Sequence, residues 1–470
     1  MKIVCIYSVG YVVSSGNILP NYSDVPFGLA YVATVLRKAG HDVSVLVLSR
    51  QSDIRQAFES LGTAPQLVCL TSVASQYGFI TDIAKTSKGR WPHARIILGG
   101  PHASLSAEVV MQNPLIDAVC IGEGENSVIG YAAGREVVTG NIWYRDASGA
   151  VRRGQQDEYI QDLDALVFPD RTMWDRWVTD RSIHAVSVGR GCYNNCSYCS
   201  NHALRNLQTG RYQRFRSPES IVSEIRFILQ GYPETKTVYL EAETLSVDPE
   251  YTIRLCDALT GLNATLPSKL SFVANFSPTR RFLASDELVD KLVGANFGFI
   301  NLGLESGSRR IRSEIMKRPP YENSEIIAFC GRCKRASLPV RLFVLMGTPG
   351  ETIEDHRKTV ECVRECRPSS VNLSIFYPYP GTGLHKLALT SGLLTGREAV
   401  SGVERQRAVL DLPGFPRKQI DREYLLFFYR AFKGRMGMKT ILIETLRNFL
   451  GMHPGLKKIA VKTLSTFKRV

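Results

Sequence analysis

Short apolar runs alternate with longer stretches of helical spacing through the first third of the chain. The runs are Lys2–Tyr7, Val43–Leu48, Leu67–Leu70, Arg95–Leu98 and Ala118–Ile121; between them lie Gly28–Ala39, Ser52–Leu61, Gln76–Lys88 and Leu105–Gln112. Strand-sized runs joined by amphipathic helices predict a parallel, doubly wound α/β sheet of Rossmann-like type, with ligands bound beyond the carboxyl ends of its strands. A second alternation opens at His184–Val188 and continues through strands near residues 238, 271, 300, 341 and 372. Six such runs predict a partial (β/α)6 barrel with its site at the same end of the strands. Beyond Gly392 the pattern stops, and Tyr424–Tyr429 and Thr440–Leu450 read as aromatic-rich amphipathic helices.

A length of 470 residues fits about three domains at ~150 residues each. The expected divisions are a sheet domain over 1–138, a linker with a small hairpin over 139–180, the barrel over 181–390, and a basic helical region over 391–470. The hairpin is predicted from Asn141–Arg145 and Ala150–Arg153, which flank Asp146-Ala147-Ser148-Gly149.

Charge changes the picture only at the end of the chain. The net charge is +14, and Arg417–Val470 alone holds 13 Lys plus Arg against 3 Asp plus Glu. A general nucleic-acid binder spreads basic residues over its core domains; here they form an appendage, so nucleic acid is not the expected partner. Such helices cover a barrel, bind a partner or lie on an anionic membrane surface. A helical cap with a solvated basic face is the plain alternative. No apolar run reaches the ~18 residues needed to span a bilayer. The eleven cysteines lack the spacing of a secreted disulfide scaffold. The expected location is the cytoplasm, with peripheral contact at the inner membrane face left open.

The candidate chemistry centres on Gly189-Arg190-Gly191-Cys192-Tyr193-Asn194-Asn195-Cys196-Ser197-Tyr198-Cys199. A compact loop after a buried strand can aim three thiolates at one point, and thiolates select iron–sulfur clusters or zinc. A closed zinc site needs a fourth protein ligand, and only His202 stands nearby. A 4Fe–4S cluster with Cys192, Cys196 and Cys199 as its three protein ligands and one open iron fits better; a chance cluster of cysteines is the alternative. Cys330, Cys333, Cys362 and Cys366 fall at helical spacing, where packing as small apolar residues is the favoured reading over a second cluster.

The Cys-x3-Cys-x2-Cys spacing, with Tyr198 before its third cysteine, resembles the radical S-adenosylmethionine (SAM) enzymes. The resemblance implies that SAM chelates the open iron. It also implies SAM contacts from Tyr198, from Glu243 in Glu241-Ala242-Glu243-Thr244, from Asn275, and from Glu305 and Ser306 in Gly303-Leu304-Glu305-Ser306-Gly307. The family pattern has an acid where Ala242 stands, and a solvated loop acid is the alternative for Glu243.

The first domain has no Gly-x-Gly-x-x-Gly after its first strand and no phosphate loop, which counts against a nicotinamide, flavin or nucleotide reading. Its strand ends read Thr71-Ser72-Val73, Gly99-Gly100-Pro101-His102 and Gly122-Glu123-Gly124-Glu125. They resemble the cobalamin-binding domain that precedes one class of radical SAM proteins, and the resemblance assigns those eleven residues to cobalamin. The Asp-x-His-x-x-Gly signature is absent, so His102 is not assigned to cobalt. Turn chemistry at Gly99–Pro101 and a helix start at Glu123 and Glu125 are the alternatives.

The resemblance as a whole implies a cobalamin-dependent radical SAM enzyme that methylates an unactivated carbon of a small-molecule, natural-product or lipid substrate. Reduction by a flavodoxin- or ferredoxin-type donor is implied with it. A cyclase, ring-rearranging or oxidising enzyme without methyl transfer is the first alternative, and an RNA-modifying enzyme the second. Methylthiolating relatives carry a second cysteine set in the first domain, whereas Cys5, Cys69 and Cys120 here lie in apolar runs.

Overall fold

A computed structural model describes residues 1–10, 17–134, 140–394 and 404–456. The last stretch of the basic region, 457–470, and the segment 395–403 lie outside the described residues. The chain divides into two compact units. The first comprises Met1–Gly191, Ala203–Ser217 and Ile228–Glu234; the second comprises Cys192–His202, Pro218–Phe227 and Thr235–Val470.

The first unit is built on a seven-stranded sheet. Its strands are β1 (Lys2–Val9), β2 (Asp42–Ser49), β3 (Leu67–Thr71), β4 (Arg95–Gly99), β5 (Ala118–Cys120), β6 (Ile142–Arg145) and β7 (Val151–Arg153). Their order is β2-β1-β3-β4-β5-β6-β7, parallel from β2 to β5 and antiparallel beyond. The reversal of order between β1 and β3 marks a doubly wound sheet and the edge where such sheets bind ligands. β1 is almost wholly buried, as a continuous apolar strand covered on both faces must be. Helices α1 (Phe27–Lys38) and α2 (Tyr77–Arg90) carry apolar faces with Leu36, Ile80 and Ile83 fully buried. The hairpin β6–β7, expected in a linker, instead extends this sheet from β5. Gly100-Pro101-His102 is no simple turn: Pro101 occupies the first position of a short helix, where its missing N–H costs nothing. The strand Ile183–Ser187 (β8) forms as expected and also belongs to this unit.

The second unit holds five parallel strands in sequential order: β9 (Thr237–Glu241), β10 (Ser271–Phe276), β11 (Phe297–Glu305), β12 (Val340–Met346) and β13 (Ser370–Ile375). Side chains alternate between faces along each strand. Val238, Leu240, Phe272, Ala274, Ile300, Leu302, Leu304, Leu342 and Val344 are buried on one face. Tyr239, Glu241, Asn275 and Asn301 share the other with the buried Val273, so polar side chains are gathered on that face. Helices α3 (Asn323–Arg335) and α4 (Ile353–Cys366) start at reciprocal capping boxes, Glu322 with Glu325 and Thr352 with Asp355. Helices α5 (Arg417–Phe432) and α6 (Met438–Met452) pack on one another. Among the described residues no helix is long and apolar enough to cross a membrane.

Candidate cofactor sites

The three-cysteine loop is held by its backbone. Cys199 N–H bonds the Cys196 carbonyl, Ser197 N–H bonds the Met316 carbonyl, and the Leu384 N–H donates to the Ser197 carbonyl. Ser197 Oγ donates to the Ile315 carbonyl at 2.5 Å. Cys192 and Cys196 are buried and Cys199 is half-buried. Burial pushes the Cys192 thiol up to about 12 and raises Cys196 despite the opposing Arg318 charge. Thiols this reluctant to ionise give up their protons when a cationic centre binds them. Among the described residues no three Cys, His, Asp or Glu side chains converge on a point for a single ion.

Arg318, which lies outside every motif read from the sequence, sits at the centre of this region. Its Nη1 donates to Tyr198 Oη at 2.6 Å and lies 3.8 Å from Cys196 Sγ. Nη2 donates to the Gly303 carbonyl at 2.6 Å and to Ser277 Oγ at 3.1 Å. Glu305 Oε1 stands 3.7 Å from Nη1. Burial still raises the Glu305 carboxyl above its ordinary range, with the Arg318 charge opposing. Glu305 also takes a left-handed backbone, φ 61°, where β11 slips register against β12. A non-glycine held there costs energy, and such strain gathers at functional sites. The local signal for Arg318 was faint: it precedes Pro319-Pro320, and a following proline forces extended backbone.

Ser306, expected beside a ligand, is fully buried. Its hydroxyl accepts from Ser308 N–H at 3.1 Å and lies 3.2 Å from Thr359 Oγ1. It braces the turn after Glu305. Asn275 Oδ1 accepts from Tyr239 Oη at 2.7 Å and from Asn301 Nδ2 at 3.1 Å. That leaves Asn301 Oδ1 buried without a partner, an acceptor waiting for a donor. At the end of β9, Glu243 is exposed. In the acid two residues earlier, Glu241, burial and then the Glu243 charge push the carboxyl up to about 7. No spacing rule separates Glu241 from Glu243; only the position of the strand end does. Cys330, Cys333, Cys362 and Cys366 are buried on α3 and α4.

In the first unit, the ends of β3 and β4 approach so closely that Gly100 admits no side chain. A Cβ there would lie 2.6 Å from Thr71 Oγ1, and its φ is +90°. Ser72 is buried, with its N–H on the Gly99 carbonyl and its own carbonyl accepting from His102 N–H, while Val73 is exposed. His102 packs against Tyr77, with ring centroids 4.4 Å apart; burial lowers its pKa and leaves Nε2 without a partner. Gly122 has φ +75°, and a Cβ there would strike the Gln208 side chain.

Glu123 and Glu125 are not left for a cofactor. Arg214 grips both Glu123 oxygens, Nη1 at 3.0 Å and Nη2 at 2.8 Å, and Ile160 N–H donates at 2.7 Å. Arg190 reaches Glu123 at 3.2 Å and Glu125 at 2.6 Å. Burial alone would raise the Glu123 carboxyl, but Arg214 and Arg190 hold it below its ordinary value. The backbone of Gly122–Gly124 remains available; its two carboxylates do not.

The model of the radical SAM superfamily matches residues 186–363, and that of the B12 binding domain matches residues 21–131. The chain thus carries a radical SAM domain preceded by a B12-binding domain. An uncharacterized methyltransferase of Pyrococcus horikoshii is 27% identical over 78% of this chain and 79% of its own. The hopanoid C-3 methylase of Methylococcus capsulatus is 25% identical over 76% and 67%. The anaerobic magnesium-protoporphyrin IX monomethyl ester cyclase of Cereibacter sphaeroides is 23% identical over 76% and 59%. The fold is shared with TsrM of Kitasatospora setae, a radical SAM methyltransferase solved with cobalamin and a [4Fe-4S] cluster. Its TM-score is 0.65 at 17% identity, covering 83% of this chain and 78% of TsrM. OxsB, solved with aqua-cobalamin, gives 0.67 at 14% identity, covering 99% and 75%.

Proposed function

We propose that this radical SAM enzyme is a cobalamin-dependent C-methyltransferase acting on an unactivated carbon of a small-molecule, natural-product or lipid substrate. One observation carries the reading: a B12-binding domain and a three-cysteine loop stand in the same chain, with one cysteine beside a buried guanidinium. Methyltransferase and methylase names among relatives spanning three quarters of the chain support it.

The residues fit the groups. Cys192, Cys196 and Cys199 would hold a 4Fe–4S cluster with one iron open. Tyr198, Glu241, Glu243, Asn275 and Glu305 would meet SAM. The backbone of Thr71–Val73, Gly99–His102 and Gly122–Gly124 would meet cobalamin, the Gly100 cradle and the unpartnered His102 Nε2 being the supporting features. When bound, the cluster supplies the electron that cleaves SAM to a 5′-deoxyadenosyl radical, and methylcobalamin supplies the methyl group. Arg318 favours the thiolate at Cys196 and fixes Tyr198 Oη. Glu241, pushed up to about 7, is divided between its neutral and charged forms near neutrality, and a cation such as the SAM amino group would favour the charged form. A flavodoxin- or ferredoxin-type reductant completes the scheme.

Counting products of anaerobic turnover tests this. Methyl transfer must release S-adenosylhomocysteine alongside 5′-deoxyadenosine; 5′-deoxyadenosine alone would replace the proposal with the second reading, a cyclase or oxidising enzyme. That reading is favoured by the cyclase among the relatives.

A further inference from the structure

Helix α6 is fixed to the fold along one side only. Ile441 and Met452 are buried, and Asn448 Nδ2 donates to the Tyr424 carbonyl of α5 at 3.1 Å. Its other side is apolar and bare. Met438, Leu442, Leu446 and Phe449 follow one another at four-, four- and three-residue steps, which places them on one helical face, with Ile443 beside them. Leu442 is 61% and Leu446 55% exposed. Of the fifteen large apolar residues exposed in the described structure, six lie between Met438 and Leu456. Scattered apolar residues on a surface are ordinary; a contiguous stripe marks an interaction face.

The surroundings of the stripe say what it meets. Lys433, Arg435 and Lys439 are exposed at its amino-terminal end. The three acids of Arg417–Val470 are already engaged. Asp421 accepts from Ala408 N–H at 2.9 Å, Glu423 pairs with Arg430 at 2.7 Å, and Glu444 pairs with Arg447 at 2.6 Å. The last fourteen residues add Lys457, Lys458, Lys462, Lys468 and Arg469, and no acid. An apolar stripe with a cationic rim matches the boundary of an anionic bilayer, where the stripe enters the acyl region and the cations meet headgroup phosphates. A second copy of the chain is the poorer occupant. A twofold contact sets the same patch against itself, so cationic rim would face cationic rim.

We propose that the outer face of α6 is a docking surface for an anionic lipid bilayer. The assignment does not depend on the reaction at the cysteine loop, so its failure would leave that reading untouched. The test floats the full, anaerobically reconstituted chain with vesicles of phosphatidylcholine, alone or mixed with phosphatidylglycerol. Retention on the mixed vesicles should exceed that on the neutral ones by about tenfold, and salt should erase the excess. L442S/L446S should cut retention by about tenfold or more. Its Tm should not change, because both side chains are solvated in the folded chain. Phe449→Trp should show emission shifted to the blue with the anionic vesicles alone. The proposal is overturned if the anionic vesicles retain nothing at low salt, or if L442S/L446S binds as well as the parent. It is overturned equally if sedimentation reveals a dimer that L442S/L446S dissolves, which would make a second copy the occupant.

Discussion

Both units deliver carboxylates to the ends of parallel strands, yet they treat them in opposite ways. After β5, Glu123 is gripped by Arg214 and Arg190 and stays ionised below its ordinary range. At the end of β9, burial and the charge of another acid, Glu243, push Glu241 up to about 7. A buried charge that is paired inside the protein is a structural part. One left unpaired is tolerated because something from outside completes it. The same contrast separates Ser306, closed within its own hydrogen bonds, from Asn301, whose buried Oδ1 has none.

Breaking the closed half of the comparison should cost the most. Arg214→Leu leaves Glu123 buried with its main counter-charge gone, and urea unfolding should register a loss of about 3–5 kcal/mol. The open half should respond with the opposite sign. The Glu241 carboxyl titrates higher in the folded chain than in the unfolded one. Its contribution is therefore full below the ordinary carboxylate range and is lost as pH rises through about 7. Glu241→Gln should then stabilise the cofactor-free chain at pH 8 by on the order of 2 kcal/mol and change nothing at pH 4. A flat pH response would show that Glu241 is paired after all. Ser306→Ala should cost about 1 kcal/mol in the same assay and leave SAM binding intact, because its hydroxyl faces the protein. Glu243→Gln should shift stability by no more than ~0.5 kcal/mol, as an exposed residue does; any effect should appear in SAM affinity.

The architecture was open to reading because it rests on apolar periodicity. Each predicted strand of the first sheet formed within two residues of its expected ends. Local pattern could not show which way a polar side chain turns at the end of a strand. Gly122-Glu123-Gly124-Glu125 looked like a ligand edge because its glycines and acids suit one. What closes it is Arg214, ninety-one positions downstream of Glu123. Arg318 was missed for the same reason: its partners Cys196, Tyr198 and Ser277 come from far apart in sequence. The cysteine loop was legible because its three cysteines fall close together in the sequence, from Cys192 to Cys199. The hairpin near residue 146 was predicted as a hairpin, but its pairing with β5 is a long-range fact that no turn signal encodes.

The absorbance spectrum of the chain reconstituted anaerobically with iron, sulfide and cobalamin tests the central claim most directly, measured beside the variant with Cys192, Cys196 and Cys199 all changed to Ala. The parent should show iron–sulfur and corrinoid bands together, and the variant the corrinoid bands alone. An iron–sulfur band that persists in the variant, or a parent that takes up no corrinoid, would contradict the account.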